Sequence, residues 1–185
     1  VTQPDRPLRA DAARNRARVL EVAYDTFAAE GLAVPIDEIA KRAGVGAGTV
    51  YRHFPTKDDL FQAVVANRIG QIVDQGRALL DGEDPGDALF AFLRALVLQW
   101  GAADRGLADA LSRSGVDVTD DGVEQAFLGM LGDLLSAAQK AGNARANLGV
   151  RDVKALLVGL QAMQAYHEEA AGRLTEVVLD GLRTP

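Results

Sequence analysis

The chain has 185 residues, 48% of them hydrophobic, which is enough to bury a core, and no apolar run approaches the ~18–20 residues that cross a bilayer. It contains no cysteine, which excludes disulfides, thiolate nucleophiles and cysteine-based zinc sites. The net charge of −6 is unevenly spread: residues 1–68 carry ten Arg or Lys and nine Asp or Glu, residues 69–185 carry ten and seventeen, and the first eighteen hold five Arg and two Asp.

In chain order, nearly every segment repeats its apolar residues with a helical period, and no run alternates as a strand does. A first helix is expected from a cap at Asp11, with Val19, Leu20, Ala23 and Phe27 on one face, arginines on the others, and Gly31 as its end. Pro35 opens a short second helix, with Asp37 and Glu38 at its positive end and Ile36, Ile39, Ala40 and Ala43 facing inward. Gly44 stops it. A third helix is expected over about 47–54, with Val50 and Phe54 as its buried pair and Pro55 closing it.

Thr56 caps a fourth helix, with Asp58 and Asp59 in its first turn. Its apolar face is Leu60, Phe61, Val64, Val65, Ile69 and Ile72, and it reaches about Leu80, where "DGEDPGD" breaks the chain. Asp84-Pro85 signals the next start. Further helices are expected near 85–103, 104–113, 119–141, 151–166 and 168–183, with the loop 142–149 before the last two.

The densest motif is "GVGAGTVYRHFPTK", Gly44 to Lys57. Its glycines are not a phosphate loop. A dinucleotide fingerprint spaces them G-x-G-x-x-G after a strand, and a Walker loop needs Gly-Lys-Ser/Thr, whereas here Gly48-Thr49-Val50 follows a helix. Two short helices meeting at Gly44-Val45-Gly46 read instead as a helix-turn-helix, whose second helix enters the major groove. With Val50 and Phe54 inward, Gly48, Thr49, Arg52 and His53 point outward, flanked by Tyr51. Small residues let the backbone approach base edges. Thr49 suits a base or a phosphate, and Tyr51 and His53 can donate to phosphates. Arg52 can pair with a guanine or rest on the backbone. Lys57 lies in the first turn of the fourth helix, another phosphate-holding position.

The segment "IDEIAKRAGVGAGTVYRHFPTKDDLFQAVV", with the arginine-bearing helix before it, resembles the DNA-binding region of TetR-family transcriptional regulators over about residues 11–69. The resemblance implies an all-α fold: an N-terminal three-helix helix-turn-helix DNA-binding domain and a larger C-terminal helical domain for ligand binding and dimerisation. The boundary is expected after residue 56, with a flexible arm over about 1–10. By motif position Thr49, Tyr51, His53 and Lys57 match the family's phosphate or base contacts, and Ala47, Gly48 and Arg52 match positions that face bases. Val34-Pro35 departs from the pattern, which often has a Ser or Thr there that caps the second helix and touches a phosphate. The resemblance further implies a ligand-responsive repressor that acts as a homodimer on a palindromic DNA operator and answers to an unknown small-molecule effector. With no spanning run, no apolar leader and no cysteine, the chain is expected to be cytoplasmic and bound to no membrane.

Other candidates carry less. Arg14, Arg16 and Arg18 are either a solvated face or a reach toward the DNA backbone. Phe92, Leu96, Trp100, Phe127 and Met130 either line an effector pocket or fill the core. Leu156, Gly159, Leu160 and Met163, with Leu174, Val178 and Leu182, form two stripes suited to a dimer interface or to the chain's own core. His167 with Glu168 and Glu169 lacks the partners of a metal site, so neither metal nor cofactor is expected. Two histidines and no Ser-His-Asp spacing give no basis for an enzyme. The competing reading is a helical protein-interaction module that has lost DNA binding.

Overall fold

The computed structural model describes residues 5–82, 84–100 and 121–184. They are helical, apart from turns and an isolated bridge between Ala144 and Arg183. The helices are α1 (Asp5–Glu30), α2 (Ile36–Ala43), α3 (Ala47–His53), α4 (Lys57–Leu80), α5 (Ala88–Ala95), α6 (Asp121–Lys140), α7 (Val150–Tyr166) and α8 (Glu168–Leu182). A π-helical turn, Leu96–Trp100, continues α5. The helix expected over 104–113 and the side chain of Trp100 lie outside what is described.

The chain divides into two compact units, and the division after Arg68 falls inside α4, not at residue 56. The reason is the amphipathic start of α4. Leu60, Phe61, Val64 and Val65 are buried, and the Phe61 ring meets Phe27 of α1 edge-on at 5.6 Å. The rest of this first core is the expected one: Val19, Leu20, Ala23 and Phe27 of α1, Ile36, Ile39, Ala40 and Ala43 of α2, then Val50 and Phe54. Each large side chain buried this way contributes about 1.5–3 kcal/mol.

Two expected helix starts are corrected. Asp11 does not cap α1, which begins at Asp5 within the expected arm; the Asp11 carboxylate instead pairs with Arg14 one turn on. Asp84 does not cap α5 directly. Its side chain and carbonyl both accept the Asp87 N–H at 3.2 Å, closing a turn from which α5 then starts. The expected cap at Thr56 is present and reciprocal. Its hydroxyl accepts the Asp59 N–H at 3.1 Å while the Asp59 carboxylate accepts the Thr56 N–H at 2.9 Å.

In the second unit, Ile72 and Val73 pack with Phe90, Phe92 and Leu93 of α5, Leu96 and Val97 of the π-helical turn, Leu131 and Leu134 of α6, and Leu157, Leu160, Leu179 and Leu182 of α7 and α8. Gly76 of α4 lies close against α6: a Cβ there would overlap the Met130 side chain, which would have to shift. The loop 142–149 is tied to the C-terminus, where Arg145 N–H donates to the Leu182 carbonyl at 3.0 Å and Thr184 N–H to Asn143 at 3.1 Å. Arg183 then lies 3.8 Å over the Phe90 ring and donates to Asp87 at 2.9 Å, fixing the start of α5. His167, outside helical backbone geometry at φ −144° and ψ 76°, ends α7 and begins α8.

Candidate nucleic-acid interface

The interface is built from the turn outward. The three-residue turn expected at Gly44-Val45-Gly46 is present, and its two glycines act differently. Gly44 has φ +66°, the left-handed conformation that closes α2, and Val45 N–H reaches back to the Ala40 carbonyl at 3.0 Å. Gly46 has φ −67° and opens α3, its carbonyl accepting the Thr49 N–H at 2.8 Å. Pro35 precedes α2 without a side-chain cap; its carbonyl accepts the Glu38 N–H at 3.1 Å.

Val50 and Phe54 are buried, so the rest of α3 turns outward. Gly48, Tyr51, Arg52 and His53 are exposed, and Ala47 and Thr49 are half-buried. A Cβ placed on Gly48 would meet nothing within 4 Å, so this side of the helix is open for close approach. No acidic residue lies on α3. Arg52 folds along its own helix, donating from Nε to the Gly48 carbonyl at 3.3 Å and from Nη2 to the Thr49 hydroxyl at 3.4 Å. Both are long, weak bonds to exposed acceptors, and a base or phosphate can replace them.

Lys57 is held more firmly. Its Nζ donates to the Leu32 carbonyl at 2.9 Å, which places the ammonium between the α1–α2 connection and the first turn of α4. An ammonium has three donors, so two remain.

The arginines of α1 divide by partner, which their spacing alone did not reveal. Arg14 is spent on Asp11. Arg16 stacks on the Phe54 ring at 5.4 Å, beside the end of α3. Arg18 lies at the helix-turn-helix turn, its Nη2 2.6 Å from where a Gly44 Cβ would stand. Two cations of α1 thus join the edge of the α2–α3 motif. Its far side is braced by Arg42, which bonds the Glu30 carboxylate and donates to Glu38 at 3.2 Å and to the buried Thr26 at 3.5 Å. The hydrogen bond from Arg42 holds the Glu30 carboxyl below its ordinary range.

The other candidates lie in the second unit. Phe92, Leu96 and Met130 are buried, and the half-buried Phe127 ring lies 6.5 Å from Phe92. Leu160 and Leu182 are buried in the unit's own core, with Met163 and Val178 packed against it and Leu174 half-buried, while Leu156 and Gly159 are exposed. Exposed apolar residues absent from the expected stripes are Val158, Tyr166 and Val177. No helix among the described residues is long and apolar enough to cross a membrane.

Comparison with known proteins agrees with this arrangement. The family model for bacterial regulatory proteins of the tetR family matches residues 19–64, and that for the C-terminal domain of SbtR-like transcriptional regulators matches residues 84–184. An HTH-type transcriptional regulator of Staphylococcus aureus (strain bovine RF122 / ET3-1) is 37% identical over 75 residues, and the matched region is only 40% of the length of each chain. A TetR transcription regulatory protein from Mycobacterium vanbaalenii is 58% identical with a TM-score of 0.80, over 96% of this chain and 100% of that one. A TetR transcriptional regulator from Streptomyces coelicolor is 36% identical with a TM-score of 0.74, over 91% and 98%. The C-terminal match alone spans more than half of the chain; with the N-terminal one and the 58% identical solved structure, it makes this protein a member of the TetR family of transcriptional regulators.

Proposed function

We propose that this regulator is a ligand-responsive repressor that binds a palindromic operator as a homodimer. The open, acid-free face of α3 carries the reading. Ala47, Gly48 and Arg52 face base edges, and Thr49, Tyr51 and His53 flank them on phosphates or bases. Lys57 takes a phosphate at the start of α4, and Arg16 and Arg18 extend the phosphate contact. One such module offers few contacts. A twofold pair doubles them and sets half-sites about 34–36 Å apart, one turn of the duplex.

The exposed apolar residues of α7 and α8 support self-association: Leu156, Val158, Tyr166 and Val177. The effector lies within the second unit, near Phe92, Leu96, Trp100, Phe127 and Met130. Two solved neighbours of the same fold, each 19% identical, hold stearoyl-CoA and choline respectively, which supports a fold that admits ligands of very different character. Action on DNA in the cytoplasm is part of this reading.

Selection from randomised duplex DNA, followed by salt titration of the winner by fluorescence anisotropy, tests the reading. The expected result is an enriched palindrome whose affinity falls steeply with salt. Failure to enrich any sequence, with protein refolded to strip bound ligand, refutes it.

A further inference from the structure

We infer that the effector is held at its buried end by the Thr175 hydroxyl of α8, and that this end is electrically neutral, carrying a hydroxyl or carbonyl group. The inference rests on the ligand-responsive reading above and specifies the chemistry of that site.

Three polar side chains are buried among the described residues: Thr26, Gln164 and Thr175. Thr26 receives Arg42. Thr175 is fully buried, and its Oγ1 has no hydrogen-bond partner among the described residues. A helical threonine commonly satisfies its own hydroxyl on a carbonyl one turn back, and this one does not. A buried hydroxyl left unpaired destabilises a fold, whereas valine has the same shape and no such cost. A residue that weakens the free protein is explained if something else completes it.

The surroundings indicate where that partner enters. The helix begun by α5 widens into the π-helical turn Leu96–Trp100, a form frequent at functional sites. That turn packs against both α7 and α8. Just before it, Arg94 of α5 links to α8 by donating to both Glu176 oxygens at 2.6 and 2.7 Å. Arg94 lies two residues before the π-helical turn and Glu176 next to Thr175. Gln164, on α7, is the other buried polar group of this unit.

Charge decides the ligand class. The other buried residues of the unit are apolar, and no charged side chain is buried among those described. A carboxylate or ammonium placed there would be desolvated without a counter-ion. Arg94 and Glu176 already neutralise each other. A hydroxyl both donates and accepts, so it matches an alcohol or a ketone equally.

The test uses the full chain with octane, 1-octanol, 2-octanone and octanoate, read by thermal shift and by fluorescence of the single tryptophan. Thr175→Val is expected to raise the Tm of the probe-free protein. The unsubstituted chain should bind 1-octanol and 2-octanone more tightly than octane or octanoate. Thr175→Val should weaken those two by about 5–10-fold and leave octane unchanged. Thr175→Ser, which keeps the hydroxyl, should retain the preference, and it stands in if the valine variant fails to fold. A lower Tm for Thr175→Val overturns the inference. So does a preference for octanol that survives the substitution, tightest binding by octanoate, or no binding by any probe. The ligand-responsive reading fails separately, if a probe that binds leaves affinity for the selected operator unchanged.

Discussion

The two units distribute polarity in opposite ways. In the first, residues 5–68, the buried set is apolar except for Thr26, which Arg42 bonds, and Tyr51 on α3 is the only large exposed hydrophobic residue among those described. Among the described residues of the second, two polar residues are buried, one without a partner, and four large apolar residues are exposed. The described part of the first unit therefore has an apolar core whose one polar member is paired, and an outward α3 that carries no acidic residue. The second carries apolar surface that water does not favour and an inner hydroxyl that no described residue satisfies. Each kind of unfinished surface calls for a different partner: an apolar face for another apolar face, and an open cationic helix for phosphates and base edges.

The largest expected effect comes from the apolar exterior of the second unit. Val158→Asp combined with Val177→Asp should convert a dimer to a monomer in sedimentation while far-UV circular dichroism stays unchanged. Losing the second module should weaken operator binding by about 10²–10⁴-fold, the range over which two linked contacts exceed one. Retention of a dimer by this variant would break the contrast between the units, since the exposed residues would then need no partner.

A smaller effect, confined to the first unit, separates base reading from phosphate holding. Arg52→Ala should cost about 1–3 kcal/mol at the selected operator and relax preference at one base position. Lys57→Ala should weaken all sequences alike and reduce the slope of affinity against salt by about one phosphate contact. Because Lys57 also holds the Leu32 carbonyl, its variant should lose some thermal stability, whereas Arg52→Ala should lose little.

The smallest effect is on pH dependence. The hydrogen bond from Arg94 holds the Glu176 carboxyl below its ordinary value of 4.5, with Arg183 adding a lesser pull. A carboxylate whose folded pKa is lowered contributes stability above its unfolded value and loses it as pH falls through the folded one. Arg94→Met should therefore lower stability at pH 7 and flatten its decline below pH 4.5, as followed by urea titration. Both side chains are more than a third exposed, 37% and 45%, so solvent screening limits the change to about 0–1 kcal/mol, and high salt should remove most of it.

The DNA-binding unit was legible in the sequence because its determinants are local. Apolar spacing placed Val50 and Phe54 inward, Gly44 and Pro55 set the limits of short helices, and Thr56 capped α4, all through contacts within a few residues. Among the described residues of the second unit, the order of α6, α7 and α8 was equally legible from periodicity and breakers, whereas the π-helical turn after α5 was not. Tertiary structure decided the rest. It sent Leu160 and Leu182 into the chain's own core and left Val158 and Val177 outside, because a helical stripe defines a face without saying what covers it. It placed Arg16 on Phe54 and Arg14 on Asp11, although both arginines lie in one short segment of one helix. It left Thr175 enclosed without a partner among the described residues, since a hydroxyl one helical turn from Ala171 ordinarily looks satisfied and only packing from several helices reveals that it is not. Spacing along a chain determines which side chains share a face; only distant segments brought together determine which of those faces are closed.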